Sequence, residues 1–166
     1  MAEWPEFRPR PLLERLVAGD VDFVVIGGIA AVIHGSATIT RDLDVAYATD
    51  QANLDRLGAV LVALGARLRG VTEEVPFVPD GLTLRRTRVL TLDTPDGRLD
   101  VLAEPDGSPG YALLRDRALA ADVGGIVVRI ASLDDLIAMK KAAGRPKDLV
   151  AVEELEAIQR LQRERA

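Results

Sequence analysis

The sequence of 166 residues has no cysteine, so neither a disulfide framework nor a thiolate metal site is open to it. It has one histidine, His34, which excludes a histidine-rich zinc site as well. Aromatic residues make up only 4%. The core therefore has to be built from Leu, Val, Ala and Ile, and a stacking platform for unpaired bases is disfavoured. An excess of positive charge is also missing, since 21 Lys and Arg against 26 Asp and Glu give a formal net charge of -5. Any RNA contact must then be local, and no DNA partner is expected. The longest apolar run, Phe23 to Ile33, falls short of the roughly 20 residues that span a bilayer, and the opening MAEWPEFRPRP has no signal-peptide stretch. No membrane partner is expected, and the location is expected to be cytoplasmic.

What remains is a globular composition, with 48% hydrophobic and 28% charged residues, in a length that suits one domain over 1–166. Leu12, Leu13, Leu16 and Val17 predict a first helix over about 10–19, ended by Gly19. The run Asp22 to Ile26 reads as a buried strand that Gly27-Gly28 release into a buried helix over Ile29 to His34. Asp42 to Tyr47 alternates polar with apolar and reads as a second strand. Asp50 is placed to cap a helix over Gln51 to Leu64, whose Leu54, Leu57, Leu61 and Leu64 share one face, with Gly65 as its stop. Arg85 to Thr91 and Arg98 to Ala103 read as a hairpin around Thr94-Pro95-Asp96-Gly97. Gly125 to Ile130 is a further strand, and Ser132 caps the helix after it. Gly144-Arg145-Pro146 breaks that helix, and Pro146 starts the last one, with Ala151, Leu155 and Ile158 facing inward. The pattern is α+β: a core over about 22–131 with a short mixed sheet of four or five strands flanked by helices, and a C-terminal helix pair over about 132–163.

Asp42 and Asp44 are the sharpest chemical feature. Strand alternation points both carboxylates to one side, roughly 7 Å apart along the backbone. At about 6 Å and an effective dielectric near 20, two such charges repel by roughly 3 kcal/mol, so a cluster of them calls for a cation or a raised pKa. The same pattern also fits a solvated pair on an exposed strand face. His34, alone at the end of an apolar stretch, suits a hydrogen-bonded structural role better than catalysis. Arg85, Arg86 and Arg88 form the densest basic cluster elsewhere, which fits a solvated edge strand or a local nucleotide contact.

The stretch GGIAAVIHGSATITRDLDV around these carboxylates resembles the polymerase-β-type nucleotidyltransferase superfamily. The resemblance is nearest to its small bacterial branch of AbiEii-like toxins and minimal nucleotidyltransferases. GRLDVL, from Gly97 to Leu102, resembles the family strand that supplies a third carboxylate, and LDDLIAMKKAAGRPKDL, from Leu133 to Leu149, resembles its C-terminal helix pair. The match covers about Val24 to Leu149. It implies a polymerase-β palm-like fold and a site for two Mg²⁺, or Mn²⁺, at Asp42, Asp44 and Asp100, with an NTP as substrate. It further implies that Gly27, Gly28 and Ser36 approach the triphosphate. Lys140, Arg145 and Lys147 would face triphosphate or acceptor, with Asp148 anchoring one of these cations. At Thr38 the chain departs from the family, which commonly carries Arg there. Arg41 could replace the missing phosphate contact, although strand alternation points it away from Asp42 and Asp44. The resemblance implies transfer of a nucleoside monophosphate to a hydroxyl of an RNA or tRNA end, a protein or a small molecule such as an antibiotic. For the toxin branch it also implies a cognate antitoxin. A catalytically silent binding protein with the same fold is the alternative that Thr38 raises.

Overall fold

The structure, a computed structural model, describes residues 7–71 and 78–166. In chain order their elements are α1 (Pro9–Ala18), β1 (Phe23–Ile26), α2 (Gly27–Ile33), β2 (Asp42–Tyr47), α3 (Gln51–Ala63), β3 (Arg67–Leu68) and α4 (Gly81–Arg85). There follow β4 (Val89–Thr94), β5 (Gly97–Leu102), α5 (Tyr111–Arg117), β6 (Leu119–Val123), β7 (Ile126–Ile130), α6 (Leu133–Ala143) and α7 (Pro146–Arg165).

Local chemistry accounts for most of the boundaries. Proline in the first turn of α1 gives up no bond that the helix needs, and Gly19 ends it. The Asp50 carboxylate accepts from the Asn53 N–H at 3.1 Å and so starts α3. The buried Leu54, Leu57 and Leu61 of α3 each contribute about 1.5–3 kcal/mol by leaving water. The Ser132 hydroxyl accepts from the Asp135 N–H at 3.2 Å at the start of α6. Gly144 stops α6 in the left-handed region at φ 65°, and Pro146 opens α7 within two residues.

The sheet runs β3-β4-β5-β2-β1-β7-β6. It is mixed: β1 pairs with β2 antiparallel and with β7 parallel, and β2 pairs with β5 parallel. Around β5 the two faces differ. Leu43, Val45, Leu90, Leu92, Leu99 and Val101 are buried and join the core of α1 and α3. On the other face Asp42, Asp44, Arg98, Asp100 and Asp93 are half-buried, and Thr91 is exposed. A strand of period two separates oil from charge in this way.

Three expectations need correction. The sheet has seven strands among the described residues, not four or five. Neither additional strand shows the alternation of a half-buried strand: β3 is two residues long, and β6, Leu-Ala-Ala-Asp-Val, exposes most of its side chains. Arg85 closes helix α4 and Arg86 caps it, so neither lies on a strand; the Asp80 carboxylate starts that helix by accepting from the Thr83 N–H at 2.9 Å. The helix after β1 begins at Gly27 itself, two residues before the expected start at Ile29. No helix among the described residues is long and apolar enough to cross a membrane.

Candidate functional site

Parallel pairing of β2 with β5 sets Asp44 opposite Asp100 and Asp42 opposite Arg98. All of these point to the charged face, and the three carboxylates line one cleft of about 650 Å³. On the other side of β2, Ile26 pairs with Asp44, and the chain turns at once into α2. Gly27 makes this turn at φ 65°, and a Cβ there would collide with Asp44 Oδ2. A Cβ on Gly28 would stand 2.6 Å from Thr40 Oγ1. The two glycines therefore let Asp44 and Thr40 close onto the first turn of α2. Gly27→Ala is expected to destabilise the fold by about 1–2 kcal/mol through the left-handed backbone alone, and by more through Asp44. In an Asp44→Ala background only the backbone part should remain, which a double-mutant cycle in urea measures.

Cations enter the same cleft from the helix pair and from the start of β2. Arg41, Lys140, Arg145 and Lys147 line it. Asp148, fully buried, ties two of them together. It accepts from Arg145 Nε at 2.6 Å and from the Arg145 N–H at 3.2 Å, and it meets Lys140 Nζ at 3.5 Å. The Arg145 side chain, with Lys140 adding to it, holds the Asp148 carboxyl below the usual carboxylate range. Lys140 and Lys141 diverge as two successive helical residues must. The Lys140 side chain is 28% exposed and faces the cleft. That of Lys141 is 57% exposed and pairs with Glu156 at 3.1 Å.

Two of the carboxyls, Asp44 and Asp100, are raised. Burial pushes the Asp44 carboxyl up to about 7, and the charges of Asp100 and Asp42 add to this while Lys140 opposes it. Burial also raises Asp100, although Arg69 pulls it down. Asp42 Oδ1 is buried with no hydrogen-bond partner; Arg98 Nη1 stands 3.9 Å away, beyond hydrogen-bond reach. Among the described residues no group of three or more acidic or histidine side chains is gathered closely enough to hold a metal outright. The donor set nonetheless suits a hard cation that takes oxygen ligands and draws the rest of its shell from substrate phosphates and water. An orphaned buried carboxylate oxygen and a neighbour raised toward neutrality are what such a cation would relieve.

Arg69 is the site residue that sequence reasoning misses. Its Nη2 donates to Asp100 Oδ1 at 2.7 Å and to the Leu92 carbonyl at 3.0 Å. It follows a two-residue strand, and no local pattern marks it. Ser36, expected at the triphosphate, does not line the cleft. Its hydroxyl donates to Thr38 Oγ1 at 2.9 Å and accepts from the Thr38 N–H at 3.1 Å, which holds the loop before β2. Thr38 itself does line the cleft, as does Arg41 despite the alternation argument. His34 Nε2 lies 2.8 Å from the Ala131 carbonyl, joining the end of α2 to the segment before α6, as a structural role requires. Arg88 pairs with Glu104 at 3.0 Å, both exposed.

No protein-family model matches the chain, and no curated protein does. Solved structures do. The lincosamide antibiotic adenylyltransferase LnuA, bound to lincomycin, shares 14% identity over 90% of this chain and 95% of its own, with a TM-score of 0.61. The antibiotic-resistance factor ANT(2'')-Ia, in complex with adenylyl-2''-tobramycin, shares 19% over 93% of this chain and 97% of its own, with a TM-score of 0.53. An antigenic nucleotidyltransferase-like protein from Paracoccidioides brasiliensis shares 19% over 91% of this chain and 73% of its own, with a TM-score of 0.57. At such identities the likeness is one of fold, and the chain has the nucleotidyltransferase fold.

Proposed function

We propose that the chain transfers a nucleoside monophosphate from an NTP to a hydroxyl of a small-molecule acceptor in a reaction that depends on Mg²⁺ or Mn²⁺. The observation that carries this reading is the convergence of Asp42, Asp44 and Asp100 with Lys140 and Arg145 on one cleft of this fold. Asp42 and Asp44 would hold the metal, together with the Asp100 oxygen that Arg69 leaves open. When bound, Mg²⁺ neutralises phosphate charge and makes the acceptor hydroxyl a better nucleophile. Lys140, braced by Asp148, adds a fixed positive charge where negative charge develops on the phosphates. Gly27 and Gly28 let Asp44 and Thr40 pack against the first turn of α2 at that end of the cleft, and Arg41, Arg145 and Lys147 supply further phosphate donors.

Two observations favour a small acceptor. The chain spans more than nine-tenths of LnuA and of ANT(2'')-Ia, whose structures hold lincomycin and adenylyl-2''-tobramycin. The cleft also reaches Asp106 and Glu154, whose charge repels an RNA phosphate chain and suits a neutral or cationic acceptor. The test is a labelled-NTP assay with Mg²⁺, offering aminoglycosides, lincosamides, total RNA and cell lysate to the wild-type chain and to Asp42→Ala. Label on a small molecule, lost in Asp42→Ala, is the expected result. Label confined to RNA or protein would replace the small acceptor with that of the toxin branch and bring a cognate antitoxin into question. The silent binding protein is the second reading, favoured by Thr38 at the usual Arg position. No label anywhere, and no melting shift with NTP and Mg²⁺, would establish it.

A further inference from the structure

Arg69 does something that an ordinary surface arginine does not. It stands just past β3, where its N–H donates to the Thr91 carbonyl at 3.0 Å, and its side chain reaches over β4 to β5. Its guanidinium is held at three points: Asp100 Oδ1 at 2.7 Å, the Leu92 carbonyl at 3.0 Å and Asp93 Oδ1 at 3.4 Å. Its side chain is 21% exposed. Asp93 alone would satisfy an edge ion pair, and such a pair adds little. The shorter and better bond goes instead to the more distant Asp100, one of the three cleft carboxylates. The anchors at Leu92 and Asp93 do not depend on Asp100, so the guanidinium keeps its place when Asp100 shares its charge with a cation.

We propose that Arg69 is a positioning residue: its fork fixes the Asp100 carboxylate by one oxygen and so presents the other to Asp44 and to the divalent cation. This rests on the metal-dependent reading of the cleft. Partners behind a ligating carboxylate orient it, and their loss typically lowers metal affinity or activity by about 10–100-fold. The planar guanidinium is required because it bonds Asp100, a backbone carbonyl and Asp93 at once. A lysine ammonium brings the same charge as a single mobile point.

The experiment measures Mn²⁺ binding by electron paramagnetic resonance, alone and with a non-hydrolysable ATP analogue, for the full chain and for Arg69→Met, Arg69→Lys and Asp42→Ala. Circular dichroism melts accompany each variant. Both Arg69 variants should bind Mn²⁺ about tenfold more weakly or worse while still melting cooperatively. Arg69→Lys keeps the charge and most of the buried stem, so it decides the point even if Arg69→Met fails to fold. Wild-type affinity in Arg69→Lys, or tighter binding in Arg69→Met, would overturn the proposal, because charge rather than geometry would then govern. Asp42→Ala separates the two levels of the argument. If it binds Mn²⁺ as the wild type does, the metal reading fails and takes this one with it. If it loses Mn²⁺ while Arg69→Lys keeps it, the Arg69 assignment alone falls.

Discussion

Asp44→Asn is expected to raise the melting temperature of the metal-free protein at pH 8 by roughly 5–10 °C and to abolish nucleotidyl transfer. In the folded protein burial and the neighbouring carboxylates raise the Asp44 carboxyl to about 7, well above its value in an unfolded chain. The native state therefore holds this proton more tightly than the unfolded state does. Below about pH 4 the group is protonated in both states and costs nothing. As pH rises toward 7 the unfolded chain releases the proton freely while the native state resists, so stability falls, and above about pH 7 the loss is constant. The loss is on the order of a few kcal/mol, or roughly 2–4 °C for each kcal/mol in a chain of this size. The amide of the Asp44→Asn variant is neutral at every pH, so its advantage should open between about pH 4 and pH 7 and vanish below that window. Mg²⁺ at pH 8 should narrow the gap by stabilising only the wild type. Melting curves at pH 4, 6 and 8, with and without Mg²⁺, check each part. Equal melting temperatures of the two proteins at pH 8 without metal would mean that Asp44 carries no such strain.

Lys140→Ala should lower transfer by about 100-fold or more, and Lys141→Ala by less than about twofold. The two side chains have the same charge and adjacent positions, so only direction separates them. Lys140 enters the cleft and is braced by buried Asp148, whereas Lys141 pairs with Glu156 on the outer side. A preorganised charge needs no reorganisation when phosphate charge develops, whereas an exposed one in water does. Single-turnover rates at saturating NTP and Mg²⁺ distinguish them. Comparable losses in both variants would assign Lys140 to the solvated helix end.

Much of the fold is legible in the sequence wherever a cause is local. The apolar run of β1, the Asp50 and Ser132 caps, the leucine face of α3 and the Gly144-Pro146 break are each decided within a few residues, and each stands as read. The sheet is wider than its sequence pattern because β3 and β6 are strands only by virtue of their partners β4 and β7. The run from Arg85 reads as a strand because Thr87, Val89 and Thr91 are β-branched, and Asp80 gives only one capping signal for a helix of five residues. In the cleft, resemblance points to Asp42, Asp44, Asp100 and the helix-pair cations, and the fold brings them together. It does not reach Arg69, whose role depends on strands β4 and β5 far along the chain, nor the turn that occupies Ser36.

The parallel alignment of β2 with β5 also bears on how faithfully the chain folds. A slip of one residue between them would turn Asp100 toward Leu43, Leu92 and the rest of the oil, and would send Leu99 or Val101 out into the cleft. Such a mispaired sheet would lose apolar burial and also carry an ionised carboxylate in its interior, cut off from the Arg69 guanidinium. The charge gathered in this cleft thus also penalises the nearest wrong alignment of its own strands, so that a correctly registered sheet and an assembled cleft arrive together.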